Sequence, residues 1–167
     1  MVSTLIVFST RNGNAARIAA AAGEGARKAG AGTHTAELPR KGRMKADTAP
    51  YSLVIFCAEA PFLSADRRML EFAVDNDLGG KKAALACAYS MSRDACRRLA
   101  ERLAGKVEVV NTLSLKERGA GRLLGRGSLS EDDLVRASAF AEKTVNNYLN
   151  RRIVKESRKA MIENYRK

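Results

Sequence analysis

This 167-residue chain has one histidine, no paired-cysteine spacing, no long apolar run and far fewer acidic than basic side chains. His34 is the one histidine, and Cys57, Cys87 and Cys96 are the three cysteines. They are odd in number, lack Cys-x-x-Cys spacing, and form with His34 no familiar ligand pattern, so a metal site is not expected. Two of the thiols fall in apolar runs, where cysteine packs as a small hydrophobe, and none has an evident base beside it. No apolar run approaches the roughly 20 residues that a membrane span requires. Met1-Val2-Ser3 leads straight into a strand-like run without the basic segment and cleavage site of a signal peptide. A soluble, cytoplasmic protein is therefore expected. Acidic residues number 18 against 30 basic ones, for a net charge of +12 and a pI near 10.1. A surface of that sign attracts anions such as nucleic acid, acidic lipid, acidic protein or phosphorylated molecules. Part of the excess is local, because seven basic side chains between Asn150 and Lys167 face only Glu156 and Glu163. Aromatic residues are also few, and only Tyr148 and Tyr165 accompany this tail, which is little for stacking bases.

What is present has a regular order. A chain of this length fits one domain with a sizeable core. Thr4–Phe8, Leu53–Ala58 and Lys82–Ala88 are short apolar runs of the kind that form strands buried on both faces. Thr33–Leu38 and Val107–Leu115 read as two weaker strands. Between them lie helical stretches: Asn14–Ala29, with Ile18, Ala22, Ala26 and Ala29 on one face; Ser64–Asp77; Ser92–Ala104; and a last helix carrying Leu134, Ala137, Ala141, Val145 and Tyr148. Ser130 and Asp133 have capping-box spacing ahead of that helix. Strict alternation predicts an α/β domain with a parallel sheet covered on both sides, spanning residues 1–149, and a basic helical extension over 150–167. Lys116–Gly127 is glycine-rich, basic and too long for a plain connection, so it is either functional or mobile.

The segment Thr10-Arg11-Asn12-Gly13-Asn14-Ala15 joins the first strand to the first helix. Hydroxyl and amide groups there, with free N–H groups at a helix start, make an anion site, and Gly13 lets the backbone close round it. The bland alternative is a capped turn. Leu5–Ala19, LIVFSTRNGNAARIA, resembles the opening of flavodoxins and related FMN proteins, whose loop reads Ser/Thr-x-Thr-Gly-Asn-Thr. The similarity continues through Tyr51–Phe56, Pro61-Phe62 with Leu70-Glu71-Phe72, and Gly125-Arg126-Gly127 before Glu131–Leu134. It implies a flavodoxin-like doubly wound five-stranded sheet in the order 2-1-3-4-5 with helices on both faces. It also implies that Thr10, Asn12, Asn14 and the backbone of Arg11, Gly13 and Ala15 hold the phosphate of FMN. Ala58, Glu59, Ala60, Pro61 and Phe62, and Tyr89, Ser90 and Met91, would then flank the flavin ring.

Departures stand beside this likeness. Ala15 replaces the threonine that usually ends the loop, and Asn12 replaces another hydroxyl. Cys57-Ala58-Glu59-Ala60 lacks the glycine usual where the third strand meets the ring. Glu59 would disfavour an anionic reduced flavin, or else it faces solvent. Tyr89 is either a stacking ring or a strand-end tyrosine, and Phe62 either a ring contact or core. Three functions remain open. The first is an electron carrier with non-covalent FMN, whose partner would present an acidic docking face. The second is an FMN-dependent oxidoreductase similar to menaquinone-dependent protoporphyrinogen oxidases, which share the Ser-Thr-Arg-x-Gly run and for which peripheral contact with anionic lipid would suit a basic surface. The third is a flavin-free basic module for nucleic acid or protein, which the scarcity of aromatics does not favour for nucleic acid.

Overall fold

The computed structural model describes residues 2–60, 67–120 and 127–165. Among these, five strands and four helices follow in the order β1 (Ser3–Ser9), α1 (Asn14–Lys28), β2 (Gly32–Glu37), β3 (Leu53–Ala60), α2 (Arg67–Asp75), β4 (Lys82–Tyr89), α3 (Ala95–Leu103), β5 (Glu108–Lys116) and α4 (Glu131–Tyr165), alternating except that no helix separates β2 from β3. All neighbouring strands pair parallel in the order β2-β1-β3-β4-β5. The expected topology is thus the observed one.

The apolar runs form strands because their side chains serve two cores at once, alternating with the period of two that a pleated strand imposes. Ile6, Leu53, Ile55, Cys57, Ala84, Ala86 and Ala88 enter one core beneath α1 and α4. Leu5, Val7, Val54, Phe56, Ala58, Ala83, Leu85 and Cys87 enter the other, beneath α2 and α3. On the first side β4 offers only alanines, and α1 answers with Ala19, Ala22 and Ala26, so these layers approach closely. Gly25 of α1 lies so near Ser138 of α4 that an added Cβ would fall 1.9 Å from the Ser138 carbonyl oxygen. The three cysteines are buried and form no disulfide, and burial pushes the Cys57 thiol strongly upward, which makes it inert.

Helix ends differ from the sequence expectation in three places. α2 stops at Asp75 rather than Asp77, because the Asn76 carboxamide donates to the Phe72 carbonyl at 2.9 Å and to the Met44 carbonyl at 2.9 Å. Its expected start at Ser64 lies outside the described residues. α3 begins at Ala95 rather than Ser92, since residues 92–94 form a turn ahead of it. α4 runs unbroken for 35 residues, about 52 Å at the usual helical rise, so the basic extension is the second half of a helix whose first half packs on the sheet. The capping box is formed: the Ser130 hydroxyl and N–H both donate to the Asp133 carboxylate, at 2.8 and 3.1 Å. Among the described residues no helix is long and apolar enough to cross a membrane, and no His/Cys/Asp/Glu cluster could hold a metal ion.

Candidate functional site

Strand order reverses between β1 and β3, and the crevice of such a sheet opens beyond the carboxyl ends of these two strands. Two segments meet there. The loop after β1 carries Thr10–Gly13 into the start of α1, with Gly13 in the left-handed conformation at φ 95°. Register then places the end of β3 beside it: Ser9 pairs with Ala58, so the next residue, Glu59, lies abreast of the loop. Cys57 points into the α1/α4 core and Ala58 into the opposite one, which turns Glu59 back toward the start of α1.

The Glu59 carboxylate fills the cradle of the loop. Its Oε1 accepts from the Thr10 hydroxyl at 2.6 Å and the Ala15 N–H at 2.9 Å. Its Oε2 accepts from the N–H groups of Arg11 and Asn12 at 2.7 and 3.0 Å. Gly13 N–H donates to the Thr10 hydroxyl oxygen at 2.9 Å, which orients that hydroxyl toward the carboxylate. Glu59 is only 6% exposed. α1 has no acidic residue in its first turn and no side-chain N-cap, so Glu59 supplies from a neighbouring strand the negative charge that a helix start favours. The alternative that Glu59 faces solvent is corrected by this placement: the strand register and the N–H groups of the loop draw it inward.

The side chains of the two asparagines reach toward the segment that follows β5. Asn14, buried, donates to the Glu117 carboxylate and to the Gly127 carbonyl, both at 2.9 Å. Asn12 donates to the same carbonyl at 3.2 Å. Glu117 follows β5 and is 1% exposed. Its carboxyl is held above the usual range chiefly by burial, against hydrogen bonds from Asn14 and Asn12, and the nearby Glu59 charge adds to the rise. Arg118 and Ser128 exchange backbone hydrogen bonds at 2.8 and 2.9 Å, which holds Glu117 and Gly127 together beside Asn14. Arg17 secures the same region through the Leu129 carbonyl at 3.0 Å and Glu131 at 2.9 Å.

Of the other anticipated residues, Ala58 and Ala60 are buried at the end of β3, and Ala60 pairs with Tyr89 of β4. Tyr89 is half-buried, Ser90 buried and Met91 59% exposed, all on the same edge. Pro61, Phe62, Gly125 and Arg126 lie outside the described residues. Sequence reasoning missed Glu117 and the Gly127 carbonyl. The available signal was the appearance of acidic residues just where β3 and β5 end in a chain otherwise short of them.

No family model and no curated protein matches the sequence. Solved structures do match in fold. A flavodoxin from the domain Archaea superposes at a TM-score of 0.65 and 12% identity, over 89% of this chain and 99% of that one. Two-electron reduced flavodoxin of Megasphaera elsdenii gives 0.61 at 16% identity, over 84% and 98%. Oxidised flavodoxin 1 of Bacillus cereus gives 0.59 at 18% identity, over 83% and 94%. The chain has the flavodoxin-like fold.

FMN, the flavin that the sequence resemblance implies, would bring a phosphate to this loop. The residues do not fit it as they stand. The Thr10 hydroxyl and three loop N–H groups that would face a phosphate already hold Glu59, and Glu117 stands behind as a second carboxylate. Hydrogen bonds to a charged group contribute about 1.5–3 kcal/mol each, so a phosphate would have to displace a saturated anion and then lie beside it.

Proposed function

We propose that this chain is a flavin-free, cationic binding domain built on the flavodoxin-like fold. The observation that carries the reading is the Glu59 carboxylate in the loop, accepting from four donors where a ligand phosphate would sit. A partner of opposite charge follows from the surface. The net charge is +12, and α4 beyond Leu149 is fully exposed through residue 163, presenting Arg151, Arg152, Lys155, Arg158 and Lys159. Beside it, an open groove of about 570 Å³ is lined by Ser52, Lys82, Arg151, Lys155 and Lys159 among others. Such a surface attracts polyanions, an acidic protein or a nucleic acid, by long-range steering. The test is titration of the purified protein with FMN, followed by flavin absorbance and fluorescence, alongside titration with polyglutamate and mixed-sequence RNA. Expected are no flavin complex at micromolar FMN and polyanion binding that weakens steeply with salt.

The redox reading is favoured by a different observation, the superposition on flavodoxins over more than four-fifths of the chain. On that reading a non-covalent FMN would carry electrons in the cytoplasm to a partner with an acidic docking face. A second form of that reading is an FMN-dependent oxidoreductase of the menaquinone-dependent protoporphyrinogen oxidase type, in contact with anionic lipid. Both need Glu59 to leave the loop, and a stoichiometric yellow complex of the unaltered protein would establish them over the flavin-free reading.

A further inference from the structure

We infer that Glu59 is an internal substitute for a ligand phosphate: its carboxylate is the bound anion of this loop, and the loop freed of it takes phosphate in its place. The inference rests on the flavin-free reading and names the chemistry of the same site.

The cradle has the form of an anion nest rather than of a local helix cap. Three backbone N–H groups, from Arg11, Asn12 and Ala15, and one hydroxyl converge on two oxygens within 3.0 Å. The acceptor comes from 44 to 49 residues away, on a different element, so no capping rule of the helix itself produces it. Both oxygens are saturated, two donors on each, as they would be for two oxygens of a tetrahedral anion. The loop's own side-chain oxygens take the Gly13 and Asn14 N–H groups, through Thr10 Oγ1 at 2.9 Å and Asn12 Oδ1 at a long 3.3 Å, while the Asn14 carboxamide is committed to Glu117 and Gly127; the N–H groups of Arg11, Asn12 and Ala15 go to Glu59. Removing the Glu59 carboxylate therefore leaves the Thr10 hydroxyl and three N–H groups aimed into one buried space, beside the positive end of α1. Arg11 lies exposed at the mouth of this space. The ligand class follows from the donors: a compact oxyanion, inorganic phosphate or a phosphate monoester, with no base or ring specified by these contacts.

The experiment is chemical rescue. Full-length Glu59→Ala and Glu59→Gln are compared with the unaltered chain by thermal unfolding in sodium phosphate and in sodium chloride at matched ionic strength. Because the chain is strongly basic, the unaltered protein reports any non-specific stabilisation by phosphate. Glu59→Ala is expected to melt lower in chloride and to regain about 5 to 10 °C in phosphate at a hundredfold excess over its dissociation constant, saturably. Glu59→Gln, which keeps the volume but not the charge, should show a smaller gain of the same kind. A folded Glu59→Ala that melts lower yet gains no more from phosphate than the unaltered protein would overturn the inference. If Glu59→Ala does not fold in chloride, refolding in phosphate reads the same question, recovery supporting the inference and continued failure overturning it. FMN titration of the unaltered chain separates the two claims. A yellow complex there removes the flavin-free reading itself, whereas no complex together with no rescue removes only the role assigned to Glu59.

Discussion

Gly25 is where the packing of α1 on α4 can be tested most sharply. A Cβ at this position would lie 1.9 Å from the Ser138 carbonyl oxygen, 2.7 Å from its carbon and 3.0 Å from its Cα. The closest comfortable carbon–oxygen approach is roughly 3.3–3.6 Å, so the helices would have to part by on the order of 1.5 Å. The obstacle is backbone, which cannot rotate away as a side-chain end does. Parting the helices also loosens the core that holds Ile18, Ala22, Ala137, Ala141 and Val145, all buried. Alanine is favoured over glycine within a helix by about 1 kcal/mol, which works the other way. Overpacking of this kind costs about 1–3 kcal/mol and sometimes more, beyond which lost core contacts add. Gly25→Ala is thus expected to destabilise by about 2–3 kcal/mol net, a fall of about 4–12 °C in melting temperature for a chain this size. Gly23, two residues earlier, is the internal control. Its added Cβ would meet only the Arg27 guanidinium at 3.3 Å and the Ile6 Cδ1 at 3.5 Å, both movable. Gly23→Ala should be neutral or stabilising by up to about 1 kcal/mol through helix propensity. Urea unfolding of the two variants decides the matter. A Gly25→Ala protein as stable as Gly23→Ala would refute the close contact of α1 with α4.

Glu117→Gln should stabilise the protein increasingly from acid toward neutral pH. With the native carboxyl held above the usual range, the folded state keeps a proton the unfolded chain has lost, so stability falls as pH rises through that window. An offset from the unaltered protein that does not change with pH in urea titrations would contradict this. Ser130→Ala removes the cap of α4 and should cost about 1 kcal/mol at neutral pH. Asp133 is drawn the other way: burial alone would raise its carboxyl, but bonds from Ser130 and the charges of Arg118 and Arg136 hold it below the usual range. The stability it confers is present above the ordinary carboxylate range and lost as pH falls through the depressed value, so the cost of Ser130→Ala should narrow in acid, read by circular dichroism melts. The triple change Arg151→Glu, Lys155→Glu, Arg158→Glu should leave the melting temperature within about 2 °C, since all three are exposed, while abolishing polyanion binding measured by fluorescence anisotropy.

How much of this was legible in the sequence follows from where the determining forces lie. Thr4–Phe8, Leu53–Ala58 and Lys82–Ala88 were readable as strands because burial on both faces demands a short apolar run. The first helix was readable from its small residues Ala19, Ala22 and Ala26, whose size lets it pack closely on the sheet and on α4. Helix ends were less legible, since the stop of α2 depends on the Asn76 carboxamide reaching Phe72 and the distant Met44. The loop from Thr10 to Ala15 reads as an anion site from its hydroxyl, amide and N–H groups together with the flavodoxin resemblance, with a capped turn as the alternative. Its occupant was not legible, because Glu59 reaches it only through the parallel register of β1 with β3, a relation between segments almost fifty residues apart. Glu117 and the Gly127 carbonyl entered the site by the same kind of long-range closure.

The two halves of α4 separate stability from binding in a single element. Up to Leu149 the helix contributes Ala137, Phe140, Ala141 and Val145 to the core, with Tyr148 and Leu149 packed at its margin. From Asn150 to Glu163 every residue is exposed, including Ile153, Val154, Met161 and Ile162 at 51–61%. A free helix of this length is marginal in water, so the outer half is held in register by the inner half and by pairs such as Arg152–Glu156 at 2.8 Å. Its sequence has no core to serve, yet it keeps five basic side chains and four large apolar ones in one rigid rod. On the proposed function, a partner docking there would gain both charge neutralisation and apolar burial without ordering the helix anew, which is why the charge reversals above should remove binding and leave folding intact.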